Sequence, residues 1–520
     1  MSYDTDKITT AIAALEEAAG RLANMRIGLP RGTLPLDWMY PAGGPTVAPD
    51  SASGWTKIGS RGWPALVAHT DNWFECELRF PTTMGGYELL GTSGLLFIWG
   101  DTPFRLWVDG ELAYREEKAW AASGPIVDPV AFDIDPARIH RLRLSVRPIV
   151  NEPLRNGPAV DVLVFPMVCL ERSVDLDAAA AELRLARALA GEDEINVVAE
   201  AASRVDIDAA AARRWDALDG SIDEMERALD SFAERAKSTR VHLIGHAHID
   251  MDWRWTWQET EYCIMRDATT TVALMEEVPE VTFSMSQVPF YETVRRNDPE
   301  LFKRILALIR AGRWENLAGT FVEGDLHMAH GEAVLRQMEL GRAWAREHDL
   351  PYPIVFWAPD TFGHPNNMPQ LVRSFGFDAY FHWRCTPGEP DPWSLRIWRG
   401  DDGSEVIGIS SNYGGALCPN PMLPRLEQNL ARGIPVAHHI WGWGDHGGGL
   451  PRINLVLLDR FRDRSIMPTF VFSSAAGYVR DAASYRDRMP VQTDFTIHLH
   501  EGTYTTHART KTQHRHGEAA

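Results

Sequence analysis

Residues 241–253 read VHLIGHAHIDMDW. An apolar run of Val241, Leu243 and Ile244 closes at Gly245, and His246, His248 and Asp250 then fall at alternate positions. In an extended segment, side chains two apart share a face. All three polar groups are therefore expected to point one way, just past the end of a strand. Imidazoles and a carboxylate placed like this suit a metal site. They also suit a turn whose histidines are satisfied by backbone carbonyls, so the rest of the chain has to decide.

Downstream, strand-like runs alternate with helices. VHLIG, VTFSMS, RWENLAGT, IVFWAPD, AYFHW and VIGIS read as strands. PELFKRILALIRAG, with Pro299 in its first turn and Gly312 at its end, and GEAVLRQMELGRAWAREH read as helices. This alternation predicts an α/β unit, a parallel sheet with helices on both faces. Ligands in such sheets gather at the carboxyl ends of the strands. Upstream the pattern differs. Residues 1–25 read as a helix, and from there to about 175 short aromatic and β-branched runs (WFECELRF, LLFIWGD, FRLWVDGELAY, IHRLRLSV, VDVLVFPMV) are separated by Gly, Pro and Asp turns. That spacing predicts an all-β sandwich. Residues 177–238 are rich in Ala, Arg and Glu with helical periodicity and read as a helical connector. The expected division is 1–176, 177–238 and 239–520.

Composition narrows the function. A formal net charge of −19 over 520 residues argues against nucleic acid or an anionic membrane as partner. The N-terminal MSYDTDKITTAIAALEEAAGRL lacks the basic flank and compact apolar core of a signal peptide. No apolar run approaches the roughly 18–20 residues of a spanning helix. Cys76, Cys169, Cys263, Cys385 and Cys418 show no paired spacing, so neither a disulfide framework nor a thiolate metal site is indicated. A cytoplasmic protein is expected, and a homo-oligomer stays open.

Three further segments carry chemistry. In VFWAPDTFGHPNNMPQL an apolar strand delivers Asp360 beside Phe362 and Gly363. A carboxylate next to aromatic faces suits attack on a sugar's anomeric carbon with the ring stacked alongside; a helix-capping aspartate is the plainer reading. In HHIWGWGDHGGGLPR, Asp445 lies in a glycine-dense loop between aromatics, where a partly shielded carboxyl can act as a general acid. A simple turn is the alternative, and no phosphate loop is indicated because the Lys-Ser/Thr is missing. In FTIHLHEGTYTTHARTK, His498 and His500 alternate on an extended run.

With these segments in view, the chain resembles the glycoside hydrolase family 38 α-mannosidases, most of all the bacterial and vacuolar-type branch. The likeness runs from about 240 to 515 through GHAHIDMDWRW, FSMSQVPFYETV, AGRWENLAGTFVEGDLHMAHGEAVLRQ, FWAPDTFGHPNNMPQL, IWRGDDGSEV, GWGDHGGG and HEGTYTTHARTK, in the family's order. The resemblance implies a (β/α)7-type catalytic domain and a retaining exo-α-mannosidase acting on α-mannoside oligosaccharides. It implies one zinc ion per chain, with another divalent cation as the alternative, held by His248, Asp250, Asp360 and His500. Asp360 would be the nucleophile, Asp445 the acid/base, Trp253 the residue on which the sugar ring stacks, and Phe362 its neighbour at the nucleophile. His246 is carried over as a neighbour only. Asp325 and Glu323 are further candidates for sugar hydroxyls, with a structural ion pair the alternative for Glu323. His327 and His330 read as surface or core histidines.

Two departures stand out. His446 follows the loop aspartate where the family usually has Gly, and Glu501 replaces a basic residue beside His500. The family also continues into a helical bundle and β-domains where this sequence stops at Ala520. On that comparison the helix begun by THARTKTQHRHGE is expected to lack packing partners and to support His500 weakly. Two competing functions follow: a truncated mannoside-binding fragment without turnover, and a metal-dependent amidohydrolase, which would activate a metal-bound water and has no call for Trp253 or Phe362.

Overall fold

Val241, Leu243 and Ile244 do form a strand, Arg240–Gly245, and it is buried on both faces as a parallel-sheet strand must be. It lies between Val436–Trp441 and Thr469–Ser473, parallel to both. The computed structural model describes residues 2–25, 27–28, 38–58, 64, 66–100, 104–115, 129–147, 160–253, 256–384, 394–443, 447–493 and 505–520.

The other parallel strands follow the expected order. Phe283–Met285 pairs with Trp314–Asn316, and Val355–Ala358, Ala379–His382 and Glu405–Ser410 run side by side. Between them lie the helices Trp257–Glu277, Val288–Asn297, Pro299–Arg310, Gly331–Glu347 and Met368–Ser374. Their ends are set locally. Asp298 caps Pro299–Arg310 by accepting from Leu301 N at 2.9 Å, and Gly312, at φ +71°, turns the chain out of that helix. Leu395–Arg399 runs antiparallel to Glu405–Ser410, as a tight hairpin around the DDGS turn requires. This strand, Val436–Trp441 and Thr469–Ser473 are additions to the six strand-like runs above.

Upstream, two antiparallel sheets share one apolar cluster. Phe74, Leu106 and Leu142 come from the six-stranded sheet, and Leu96 and Val164 from the four-stranded one. The strand Val160–Pro166 passes directly into the helix Met167–Leu189. The N-terminal helix Ser2–Ala23 buries Ile8, Ile12, Leu15, Ala19 and Leu22, spaced three or four apart, in the same core as Ala178–Ala181 of that second helix. Ion pairs tie this helical layer to the parallel-sheet part: Arg184 to Glu427 at 3.2 Å, Arg460 to Asp175 at 2.6 Å, and Arg464 to Glu182 at 2.8 Å. No helix among the described residues is long and apolar enough to cross a membrane.

Candidate active site

The segment after Gly245 leaves the strand extended, and the helix Trp257–Glu277 holds it there. Thr260 Oγ1 donates to Asp250 O and accepts from Asp252 N, both at 3.1 Å, as the chain turns at Asp252 (φ +60°). His248 and Asp250 thereby converge, with His248 Nε2 3.8 Å from Asp250 Oδ1 and 4.0 Å from Asp360 Oδ2. Asp360 arrives from the end of Val355–Ala358. Ligand atoms of His248, Asp250 and Asp360 all lie within 4.8 Å of one another.

His246 is different although it shares the alternation. It is fully buried beside Trp357, and its Nδ1 bonds Ser284 O at 2.8 Å, so here the backbone-carbonyl reading applies. Burial pushes its imidazole down to about 3. Burial would depress His248 too, but the carboxylates of Asp250, Glu323 and Asp360 around it lift that imidazole to about 9. Removing this excess negative charge is what a bound cation would do. One imidazole nitrogen and two carboxylates, drawn together in an electronegative cleft, fit a divalent ion such as zinc.

An open cavity of about 680 Å³ lies over these groups, lined among others by Trp253, Gln287, Asp325, Phe362 and Arg384. Trp253 is 52% exposed. Asp325 Oδ1 accepts from His327 N and Met328 N at 3.0 and 2.9 Å. His330 caps the next helix, its Nδ1 accepting from Glu332 N at 3.2 Å. A second cavity, of about 460 Å³ and more apolar, adjoins the first through Glu323, Asp325 and Thr361 and is closed by Lys511 and His514 of the last helix. It holds no group of the His248 cluster, and the chemistry belongs to the first cavity. Asp445, His446, His500 and Glu501 lie outside the described residues.

Three site residues went unnoticed in the sequence. Arg384 Nε donates to Asp360 Oδ1 at 2.5 Å, and its guanidinium also reaches Tyr413 OH at 3.2 Å. Tyr413 donates to the same Oδ1 at 3.4 Å, and its ring lies 4.5 Å from that of His248. Gln287 Oε1 accepts from Glu323 N at 3.0 Å while its backbone sits at φ +69°, a conformation that costs energy outside glycine. All three follow strand ends, which is the one signal that could have flagged them.

Glu323 is buried. Its Oε1 accepts from Asp360 N at 2.6 Å and Thr361 Oγ1 at 3.2 Å, and burial lifts its carboxyl to about 7 against the pull of His248. The glycine stem after residue 446 is equally well held. Gly447 N donates to His248 O at 2.5 Å and Gly448 N to the buried Asp267 Oδ2 at 2.9 Å. A side chain at Gly448 would meet Trp443 Cβ at 2.5 Å with φ at +130°, so glycine is required there.

A buried imidazole and two carboxylates under an aromatic rim at a set of strand ends can hold a cation and present a carboxylate to a sugar. The chain belongs to glycosyl hydrolases family 38: the model of that family's N-terminal domain matches residues 238–500. Among relatives, it is 30% identical over 289 residues to human Alpha-mannosidase 2C1, covering 54% of this chain and 27% of that protein. It is 29% identical over 287 residues to Alpha-mannosidase G of Dictyostelium discoideum, covering 53% and 26%. The Alpha-mannosidase of Saccharomyces cerevisiae is 27% identical over 312 residues, covering 54% and 28%. The chain thus spans roughly a quarter of the length of the relatives it matches. A crystal structure of an alpha-mannosidase from Enterococcus faecalis V583 aligns with TM-score 0.43 and 19% identity, over 50% of this chain and 31% of that one, too loosely to bear on the site.

Proposed function

We propose that this chain carries the catalytic site of a retaining, zinc-dependent exo-α-mannosidase that removes terminal α-mannosyl residues from oligosaccharides. The convergence of His248, Asp250 and Asp360 beneath Trp253 is the observation that supports this reading. In it, residues 239–520 form a (β/α)7-type domain, 1–176 an ancillary β-sandwich with its N-terminal helix, and 177–238 the connector.

Asp360 is the nucleophile. One carboxylate oxygen bonds the anomeric carbon as the glycosidic C–O bond breaks, and Asp445 gives its proton to the leaving oxygen. Asp445 then takes a proton from water, whose oxygen displaces Asp360 from the same carbon. Two inversions leave the configuration unchanged. His248, Asp250, Asp360 and His500 would hold zinc, or another divalent cation, which would supply Lewis-acid orientation of the sugar hydroxyls. Arg384 and Tyr413 fix Asp360 through Oδ1, and Arg384 compensates its charge. Trp253 stacks on the ring, Phe362 packs beside the nucleophile, and Asp325, with Oδ1 already engaged, offers Oδ2 to a hydroxyl.

The net charge of −19 suits a neutral glycan rather than nucleic acid or an anionic membrane. Cys76, Cys169, Cys263 and Cys418 are thiols, which suits a cytoplasmic site of action. Proton NMR of early hydrolysis of 4-nitrophenyl α-mannoside tests the proposal. Release of α-mannose first is expected; β-mannose first would overturn the retaining mechanism, and no release would overturn the activity.

A further inference from the structure

Glu323, a candidate for sugar hydroxyls, lines the cavity and also reaches the backbone and side chains around the cluster. Among the described residues, only one of its oxygens is engaged. Oε1 takes the backbone N–H of Asp360 at 2.6 Å and the Thr361 hydroxyl at 3.2 Å. Oε2 is buried, accepts no hydrogen bond among the described residues, and lies 3.9 Å from His248 Nδ1. The opposite nitrogen of the same imidazole faces Asp250 and Asp360. His248 is thus flanked by a carboxylate on its Nδ1 side and by the two other cluster residues on its Nε2 side.

A buried acceptor without a donor costs about 1–3 kcal/mol, so an orphaned carboxylate oxygen calls for a partner. The Nδ1 edge of His248 lies 3.9 Å from it. A gap of 3.9 Å is too long for a hydrogen bond, and a ring tilt of under an ångström would close it. Histidines that ligate metals commonly donate their other N–H to a carboxylate, which fixes the tautomer and the ring plane. Glu323 itself is held from two directions, by the Asp360 backbone and by Gln287 Oε1 on its own backbone N–H at 3.0 Å.

We propose that Glu323 is a positioning residue that couples the metal centre to the nucleophile: Oε2 accepts the Nδ1–H of His248, leaving Nε2 as the ligand atom, while Oε1 holds the backbone of Asp360. One carboxylate then sets both the imidazole that binds the ion and the strand end that carries the attacking group. This rests on the metal-dependent reading above, and the test separates the two.

The experiment is zinc affinity of the metal-stripped 520-residue chain, by competition with a chromophoric chelator, for wild type and Glu323→Gln. Gln keeps an oxygen for Asp360 N but sets an N–H₂ against Nδ1–H. A loss of roughly 10–100-fold in affinity is expected, with the thermal midpoint of the metal-stripped protein unchanged. Equal affinity in both proteins would overturn the positioning role and leave the metal reading intact. No zinc bound by wild type would overturn both. Should Glu323→Gln fail to fold, a crystal structure of the zinc-loaded wild type decides: Glu323 Oε2 within hydrogen-bond distance of Nδ1 and zinc on Nε2 are expected, and ligation through Nδ1 would overturn the proposal.

Discussion

Replacing Asp267 with Ala should destabilise the protein from beneath its active site. Asp267 lies on Trp257–Glu277 with its side chain 0% exposed. It accepts from Arg266 Nε at 3.0 Å and from Gly448 N at 2.9 Å. The Ala variant leaves Gly448 N without this acceptor and Arg266 without its carboxylate. Breaking a buried ion pair from one side costs about 3–5 kcal/mol. Arg266 keeps 13% of its side chain exposed, which favours the lower end, about 3 kcal/mol. Asp267→Asn retains an acceptor for Gly448 worth about 1 kcal/mol, so it should cost about 2 kcal/mol. At about 2 °C per kcal/mol for a large domain, the thermal midpoint should fall by roughly 6 °C for Ala and 4 °C for Asn. Calorimetric or circular-dichroism melting provides the assay. An Ala variant within about 1 °C of wild type, or an Asn variant no milder than Ala, would refute the anchoring argument.

Other perturbations reach different parts of the account. Burial, with Glu182 adding to it, lifts the carboxyl of Glu226 to about 7, while unfolded it titrates near its ordinary 4.5. Between these values the folded protein binds the extra proton, so this contribution is full below about pH 4.5 and is lost as pH rises to about 7. Glu226→Gln should flatten that fall in melting temperature; an unchanged profile would contradict the assignment. Trp253→Ala should raise KM about tenfold, on the order of 1.5 kcal/mol of lost ring contact, with no change in melting temperature because Trp253 is half exposed; steady-state kinetics on an α-mannoside would show it. Arg384→Met should lower kcat/KM about 10–100-fold by removing a hydrogen bond to a charged group worth about 1.5–3 kcal/mol. Zinc content should be unaltered, and a metal-free variant would move Arg384 from orienting the nucleophile to building the site.

Much of the site was legible because each of its parts sits just past an apolar run. His248, Asp250 and Asp360 were visible as polar groups at strand ends, and their family likeness gave them roles. The alternation overreached at His246, which lies one step deeper and is consumed by Ser284 O. Arg384, Tyr413 and Gln287 carry no local motif; they meet Asp360 and Glu323 only because parallel strands bring separate ends together. Strand reading failed where buried histidines broke the apolar pattern. Val436–Trp441 contains His438 and His439, both wholly interior. Burial pushes His439 down to about 3, and its Nε2 meets Ala416 O at 3.0 Å, so a residue type that suggests chemistry is here part of the core.

The central claim is that one metal and one carboxylate act together at this cluster. The most direct test measures zinc content and 4-nitrophenyl α-mannoside hydrolysis on the same preparation of wild type and Asp360→Asn. The account predicts about one zinc per wild-type chain, with turnover abolished by a chelator, restored by zinc, and absent in Asp360→Asn. A chain that turns over the substrate without metal, or an Asp360→Asn variant with undiminished turnover, would contradict it.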